Sequence, residues 1–249
     1  MDWAGYLDGF HAERPGITEA VLRRSHGTDG GDPYGRLADA IPGRGRVLDL
    51  ACGSAPLRCD LPGRTYLGVD ASAAELAAAR GRGAENLIRA RALPLPLADG
   101  SVDAVACSMG LMLLTPLADT LDEIARVLAP SGVLAVTVPA TGPLRPLDIV
   151  VVAGLLGVLG RRLRYPNDAE LRDLSGYLAR AGLLVTGDGR ERYGYRPRGA
   201  ADADTFVASL YLPGRRRDGA ARRYVRALSR AGVELPVPIR RVVAVKPDR

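Results

Sequence analysis

The sequence predicts an α/β fold, an open sheet of mostly parallel strands with helices on both of its faces. Short runs rich in leucine and β-branched residues alternate with segments of helical spacing, a pattern typical of βαβ units. The length of 249 residues suits one large domain. A composition of 47 % hydrophobic and 25 % charged residues is that of a folded globular protein, not of a disordered or fibrous one.

Within a single domain spanning residues 1–249, three parts are expected. Residues 1–40 form a helical cap, whose clearest helices are Ile17–Ser25 and Tyr34–Ala40. Residues 41–140 form the core of the sheet, and residues 141–249 add an insertion and the last strands. Five core strands are predicted, at Arg46–Leu50, Tyr66–Val69, Leu87–Arg89, Ala104–Cys107 and Val133–Val138.

Two helices are predicted between the core strands, over Ser72–Arg80 and Leu117–Leu128. Ser72 is followed three residues later by Glu75, which is the Ser-x-x-Glu capping box of a helix start. Pro130-Ser131-Gly132 is expected to end the second helix and to turn into the next strand.

The uncharged apolar run Ile149–Gly160 follows the fifth strand of the core. Its 12 residues are too few to cross a bilayer, which takes about 20. Buried core is the simplest expectation for it, and a lid over a binding site or a dimer interface are the alternatives. A helix at Asp168–Ala181 and terminal strands at Leu183–Thr186 and Ile239–Val245 should complete the fold.

Charge is distributed unevenly along the chain. Residues 1–130 hold 13 Arg and 17 Asp plus Glu, for −4, whereas residues 131–249 hold 20 Arg, one Lys and 11 Asp plus Glu, for +10. Such asymmetry can mark a nucleic-acid contact. No recognition motif accompanies Arg215–Arg217 or Arg222–Arg223, so an exposed arginine-rich helix face is expected there instead.

Three cysteines, an odd number without zinc spacing, indicate a reducing compartment rather than a disulfide framework. The first residues lack the basic and apolar regions of a secretory signal. A cytoplasmic protein with no membrane partner is therefore expected.

The segment Val47–Pro56 carries the clearest chemical signal. A strand delivers Asp49, and small residues then form a tight turn that would leave bare backbone against a ligand. Asp70 ends the next strand 21 residues later, about the spacing at which an acid accepts hydrogen bonds from ribose hydroxyls. The turn has only Gly53 of the glycines that a pyrophosphate needs, so a nucleoside without pyrophosphate is favoured over a nicotinamide dinucleotide.

Four segments in order resemble the class I S-adenosylmethionine-dependent methyltransferases of the small-molecule type: Leu48–Ala55, Gly68–Ser72, Ala92–Val105 and Glu123–Leu134. The resemblance implies a Rossmann-like sheet and S-adenosylmethionine as cofactor. It also implies that the turn from Asp49 through Ala51 and Cys52 to Gly53 holds the methionine part of the cofactor, and that Asp70 holds the ribose. The adenine would lie against Ala71, Ala92 and Leu93, and the sulfonium and the methyl acceptor against Cys107, Ser108 and Met109.

The cap offers further candidates. His11 is the first candidate for a general base, because His11 and His26 alone have an ordinary pKa near neutrality. Tyr6 is the second catalytic candidate. Tyr34 and Arg14 are expected to contact the cofactor's carboxylate. No metal is expected, since residues 138–142 provide no carboxylate for magnesium.

The expected activity is methyl transfer to an oxygen, nitrogen or carbon of a small, fairly apolar metabolite by in-line displacement. One alternative is a protein that binds the cofactor without transferring methyl, as a cyclase or a binding module. A nucleic-acid methyltransferase is disfavoured, because Cys107-Ser108-Met109-Gly110 is not a base-gripping Asp/Asn-Pro-Pro-aromatic motif and aromatic residues make up only 5 % of the chain. A homodimer is left open.

Overall fold

The computed structural model describes residues 2–214 and 218–248. The predicted arginine face at Arg215–Arg217 lies outside the described residues. Within them, eight strands form one sheet in the order β1-β7-β8-β6-β5-β2-β3-β4. The strands are β1 Ser25–His26, β2 Arg46–Leu50, β3 Thr65–Asp70, β4 Leu87–Arg89, β5 Val102–Ser108, β6 Leu128–Pro139, β7 Leu184–Tyr195 and β8 Leu235–Val245.

Nine α-helices occur in the described part of the chain. They are α1 Trp3–Glu13, α2 Ile17–Leu22, α3 Pro33–Ala38, α4 Ala73–Gly81, α5 Leu117–Val127, α6 Pro146–Leu159, α7 Leu174–Arg180, α8 Ala200–Ala208 and α9 Asp218–Arg230. Short 3-10 helices cover Pro56–Asp60 and Glu170–Asp173. No helix of residues 2–214 and 218–248 is long and apolar enough to cross a membrane.

The sheet has a parallel half and an antiparallel half. Strands β4, β3, β2, β5 and β6 are parallel neighbours, whereas β8 runs antiparallel to β6, β7 to β8, and β1 to β7. Because parallel strands end at the same edge, the residues that follow β2, β3 and β5 meet there. The predicted α/β class and the helical layers are confirmed.

Hydrophobic side chains leave the sheet on both faces, because successive residues of a strand point to opposite sides. Leu48 packs with α5 and α7 in one cluster, whereas its neighbour Val47 packs with α3 and α4 in another. A third cluster joins α6, α8 and α9 beside the antiparallel half.

Two local predictions were wrong. The helix predicted over Ile17–Ser25 ends at Leu22, because Ser25 and His26 pair with β7 as a short strand. The turn predicted at Pro130–Gly132 lies inside β6, where pairing moves from Val102–Leu128 to Ala104–Val133. The intervening residues bulge from the ladder, and Ser131 adopts a φ of 59°.

The C-terminal part differs most from expectation. The strand predicted at Leu183–Thr186 extends to Tyr195, since β7 pairs with β8 along its length. The predicted helix Asp168–Ala181 is a 3-10 helix followed by α7. Helix α8 lies within residues 190–220, for which no element was predicted, whereas Arg222 and Arg223 lie on α9, where a helix was expected.

Candidate active site

A cavity opens at the edge where β2, β3 and β5 end, beneath the N-terminal cap. Nine of the residues predicted for the site line it: His11, Tyr34, Asp49, Ala51, Cys52, Gly53, Asp70, Ser108 and Met109. They come from the cap and from three strand ends that are far apart in sequence. The parallel half of the sheet therefore brings together most of the predicted site.

The turn after β2 presents backbone to the cavity. Ala51, Gly53 and Ala55 have φ values of 56°, 54° and 57°, a left-handed conformation that curls the chain tightly. The Ala55 N–H donates to the Cys52 carbonyl at 2.8 Å and closes the turn. Gly68 lies below it, where an added Cβ would come within 2.9 Å of the Cys52 sulfur. The absence of a side chain at Gly68 thus allows the turn to pack closely against β3.

Asp70 ties this turn to the end of β3. Its Oδ2 accepts from the Gly53 N–H and its Oδ1 from the Ser72 N–H, both at 2.8 Å. Burial raises the pKa of the Asp70 carboxyl, and the two backbone N–H groups offset part of that rise. The carboxylate is held in one orientation with its remaining lone pairs free for a ligand.

Asp49 lies under the turn, where its side chain is less exposed to water than that of Asp70. It is buried, and its Oδ2 accepts a hydrogen bond from the Tyr66 hydroxyl at 2.7 Å. Burial raises the pKa of Asp49 to about 7, against the opposing effect of the Tyr66 hydrogen bond. Asp49 is therefore poised between its neutral and ionised forms near neutral pH.

A row of three polar side chains crosses the cavity. Glu75 Oε1 lies 2.9 Å from His11 Nδ1, and His11 Nε2 lies 3.3 Å from the Tyr211 hydroxyl. Glu75 is 4 % exposed, and burial raises the pKa of Tyr211. With Nδ1–H donating to the carboxylate, Nε2 is the nitrogen that can accept a proton. This arrangement can serve as an oriented general base.

Two carboxylates hold the cap over the turn. The Gly16 N–H donates to Glu75 Oε2 at 2.9 Å, and the Ser54 hydroxyl donates to Glu19 Oε2 at 2.6 Å. The Ser72 hydroxyl caps α4 by accepting from the Glu75 N–H, as predicted. The Glu75 carboxylate does not complete the capping box, because it turns toward His11 and Gly16 instead.

Six predicted site residues are not part of the cavity lining: Tyr6, Arg14, Ala71, Ala92, Leu93 and Cys107. The Tyr6 hydroxyl accepts from the Leu212 N–H at 2.8 Å, and Arg14 donates to the Ala208 carbonyl. Cys107 is fully buried, which raises the pKa of its thiol to about 12. Ala71 is exposed after β3, and Ala92 and Leu93 lie half-buried after β4. Their proposed roles stay predictions.

Of the alternatives given for Ile149–Gly160, the structure supports buried core over a lid on the binding site. No residue of α6 lines the cavity. Helix α6 instead packs beside α9, where the Tyr224 hydroxyl donates to the Val151 carbonyl at 3.1 Å. Asp148 at its N-terminus pairs with Arg192 of β7. Helix α6 therefore belongs to the antiparallel half, and Val151, Leu155 and Leu159 are buried core there.

Several lining residues were not predicted for the site: Glu19, Ser54, Glu75, Gly110, Leu113 and Tyr211. Glu75 had a detectable signal, an acid within an alanine-rich helix, but it was assigned to the helix cap alone. Tyr211 lies in a segment without a recognisable pattern. No local signal connects it with His11, which is 200 residues away in the chain.

Comparisons with known proteins agree with this geometry. Residues 48–136 match the family model described as a methyltransferase domain. A demethylmenaquinone methyltransferase from Beutenbergia cavernae is 38 % identical over 155 residues, which are 59 % of this chain and 62 % of that protein. The match thus spans less than two thirds of the relative's length.

Solved structures with the same fold extend over most of the chain. The cyclase SpnF has a TM-score of 0.57 at 19 % identity and covers 98 % of this chain and 92 % of its own. Geranyl diphosphate C-methyltransferase from Streptomyces coelicolor, solved with S-adenosyl-L-homocysteine, has a TM-score of 0.52 at 16 % identity, covering 86 % of this chain and 78 % of its own. Residues 48–136 thus match a methyltransferase domain, and the sheet shares its fold with these solved structures.

Proposed function

We propose that the protein transfers a methyl group from S-adenosylmethionine to a small, fairly apolar metabolite by in-line displacement. The observation that carries the proposal is the hydrogen bond between the Gly53 N–H and Asp70, which joins the tight turn and the ribose-binding acid in one rigid cradle at the cavity. The matched methyltransferase domain and the demethylmenaquinone methyltransferase relative support it.

The residues present fit such a cofactor. The turn at Ala51–Gly53 offers backbone without bulky side chains, which suits the methionine part. Asp70 keeps lone pairs for the ribose hydroxyls. Ala71, Ala92 and Leu93 follow β3 and β4 at the same edge of the sheet, and we assign them to the adenine on that ground. Ser108 and Met109 would then face the reacting methyl group, with Cys107 supporting them from below.

When bound, the cofactor supplies an electrophilic methyl group on a sulfonium. The chain aligns the acceptor with that group and excludes water. His11 Nε2 would take the proton of an acceptor hydroxyl, directly or through the Tyr211 hydroxyl. Glu75, bound to Nδ1, would keep the ring in the orientation and tautomer that leave Nε2 free. Tyr6 would act as a positioning residue, since it anchors the segment beside Tyr211.

The acceptor class follows from the lining opposite the cofactor turn. Leu113 and Met109 are apolar, and Tyr211 belongs to an aromatic cluster with Phe10 and Tyr165. A small acceptor with an apolar body and an acidic hydroxyl suits both this surface and His11. Small phenols and demethylmenaquinone, the acceptor in the relative's name, are the first compounds to assay.

A nucleic-acid acceptor is disfavoured electrostatically. The cavity lining carries four acidic side chains, Glu19, Asp49, Asp70 and Glu75, and, among the described residues, no arginine or lysine that would bind a phosphate backbone. Binding without transfer, as in a cyclase, is separated from methyl transfer by the experiment below. The free cysteines Cys52, Cys59 and Cys107 favour a cytoplasmic location. A homodimer stays a prediction.

Calorimetry with S-adenosylhomocysteine tests the cofactor site. Asp70→Ala should weaken binding about 100-fold, because it removes charge-assisted hydrogen bonds worth about 3 kcal/mol in total. Asp188→Ala is the matched control: its carboxylate pairs with Arg240 outside the cavity, so affinity should be unchanged. Absence of binding by the wild-type protein would overturn the assignment.

Methyl-labelled S-adenosylmethionine, incubated with candidate acceptors, tests the reaction itself. Label should appear in the acceptor. Should the wild-type protein bind the cofactor yet leave all label on it with every acceptor class, the binding-module alternative replaces methyl transfer.

A further inference from the structure

Helix α6 is apolar on all sides although it lies at the protein surface. From Ile149 to Gly160 it carries no charged or polar side chain. One side packs into the third hydrophobic cluster. The other side faces water, with Leu147 59 %, Ile149 57 % and Val150 65 % exposed.

Packing does not account for these exposed side chains. A helix buried along one side normally carries polar residues on the opposite side. Three of the four large hydrophobic side chains that are exposed in the described residues lie on this helix. Leu147, Ile149 and Val150 lie within about one turn of the helix, and clustered exposed hydrophobic side chains mark interaction surfaces.

The uncompensated charges that flank the patch along the chain are positive. Asp148 is the one acid of residues 141–164, and it is buried and bound by Arg192 through two hydrogen bonds of 2.6 and 2.8 Å. Its charge is therefore compensated within the fold. The other charged residues of the segment stand at the two ends of the helix: Arg145, Arg161, Arg162 and Arg164. All of these except Arg161 are exposed.

We propose that, contrary to the expectation of no membrane partner, this surface of α6 binds an anionic lipid membrane, with the helix lying in the plane of the interface. Its 14 residues make a helix about 21 Å long, too short to span a bilayer but suited to an interfacial position. Leu147, Ile149 and Val150 enter the boundary between headgroups and acyl chains, while the terminal arginines meet lipid phosphates.

A second copy of the chain fits the patch less well. Two-fold pairing places the same surface of both copies together. Whether the two helices pair parallel or antiparallel, an arginine-bearing end of one meets an arginine-bearing end of the other. Like charges then face each other at both ends, whereas an anionic membrane neutralises them.

Co-sedimentation with vesicles tests the proposal. The wild-type protein should bind vesicles of phosphatidylcholine and phosphatidylglycerol, bind phosphatidylcholine alone more weakly, and be released by salt. Ile149→Asp/Val150→Asp should weaken binding about tenfold or more, because two aliphatic side chains no longer enter the lipid. Leu184→Asp is the matched control, since Leu184 is 64 % exposed on β7, and it should bind like the wild type.

Circular dichroism of each variant verifies that the fold is intact. The proposal is overturned if the wild-type protein does not sediment with anionic vesicles, or if the α6 variant and the Leu184 control lose binding equally. It is also overturned if gel filtration gives a wild-type dimer that the α6 variant converts to a monomer. None of these outcomes bears on methyl transfer, because α6 does not line the cavity.

Discussion

Carboxylates in the two halves of the sheet lie in different electrostatic surroundings. In the parallel half, Asp49 and Asp70 are buried without a salt bridge to any described residue, and burial raises the pKa of each. In the antiparallel half, Arg192 binds Asp148 and Arg240 binds Asp188, and these arginines lower the pKa of both carboxyls. The parallel half thus holds buried carboxyl groups without a cationic partner, whereas these carboxylates of the antiparallel half are paired with arginines.

This difference distinguishes charged groups that connect elements of the fold from charged groups that line the cavity. Arginine pairs such as Arg24–Asp202 and Arg226–Asp204 connect elements of the C-terminal part to each other or to the cap. Buried acids without cations cost stability, and they cluster at sites whose chemistry requires them. Here the unpaired acids line the cavity, which is where a cationic sulfonium cofactor would supply the missing positive charge.

The largest expected effect comes from leaving a buried acid unpaired in the antiparallel half. Arg192→Met leaves Asp148, whose side chain is 4 % exposed, without its partner. Urea unfolding at pH 7 should show a loss of about 3 to 5 kcal/mol. Arg192→Met/Asp148→Leu should recover most of it, because the buried unpaired carboxylate is gone and Glu234, which Arg192 also binds, is 29 % exposed. A double variant as unstable as the single one would contradict the electrostatic explanation.

The same pair predicts an acid-dependent loss of stability. Arg192 lowers the pKa of Asp148 in the folded state, so the unfolded chain binds the proton more readily. The contribution of the pair is complete above the ordinary carboxyl pKa of about 3.9 and is lost as the pH falls below it. In this acidic range, the free energy of unfolding of Arg192→Met/Asp148→Leu should depend less on pH than that of the wild type.

Asp49 should show the opposite pH dependence. Its pKa of about 7 in the folded state exceeds that of the unfolded chain, so native protein holds an additional proton between about pH 4 and 7. Stability should therefore fall as the pH rises through this window, by on the order of 4 kcal/mol. Asp49→Asn, which can still accept from the Tyr66 hydroxyl, should remove this slope.

Urea unfolding at several pH values across that window compares the two proteins directly. Asp188→Asn is the control, because Asp188 has a lowered pKa and should leave the slope between pH 4 and 7 in place. Parallel curves for wild type and Asp49→Asn would contradict the raised pKa.

The parallel half was predictable because its signals are local. Asp49 and Gly53 lie in one tight turn, and Asp70 ends the next strand, so spacing alone placed them together. Glu75 and Tyr211 reach His11 from 64 and 200 residues away, and no periodicity records such a contact. Their convergence depends on how the cap and the segment before α9 pack over the sheet.

The antiparallel half was harder to predict from the sequence, for a different physical reason. Strand β7 carries Asp188, Arg190 and Arg192, so it lacks the apolar alternation by which strands are recognised, and pairing with β8 defines it instead. The apolar character of α6 indicated burial but not against which layer. Its anchor, the Asp148–Arg192 pair, joins residues 44 apart and is invisible to local patterns.

The smallest expected effect tests whether the cavity carboxylate that contacts His11 acts in catalysis. Glu75→Gln should lower the rate of methylation about tenfold, because the amide no longer stabilises a protonated His11. Binding of S-adenosylhomocysteine should change little, and the pH profile of the rate should shift. Glu19→Gln is the matched control: Glu19 also lines the cavity but contacts Ser54 and Arg82 instead of His11, so its variant should keep the wild-type pH profile. Equal shifts in both variants would mean that the carboxylates act only by holding the cap, and the difference between the halves of the sheet would then be one of stability alone.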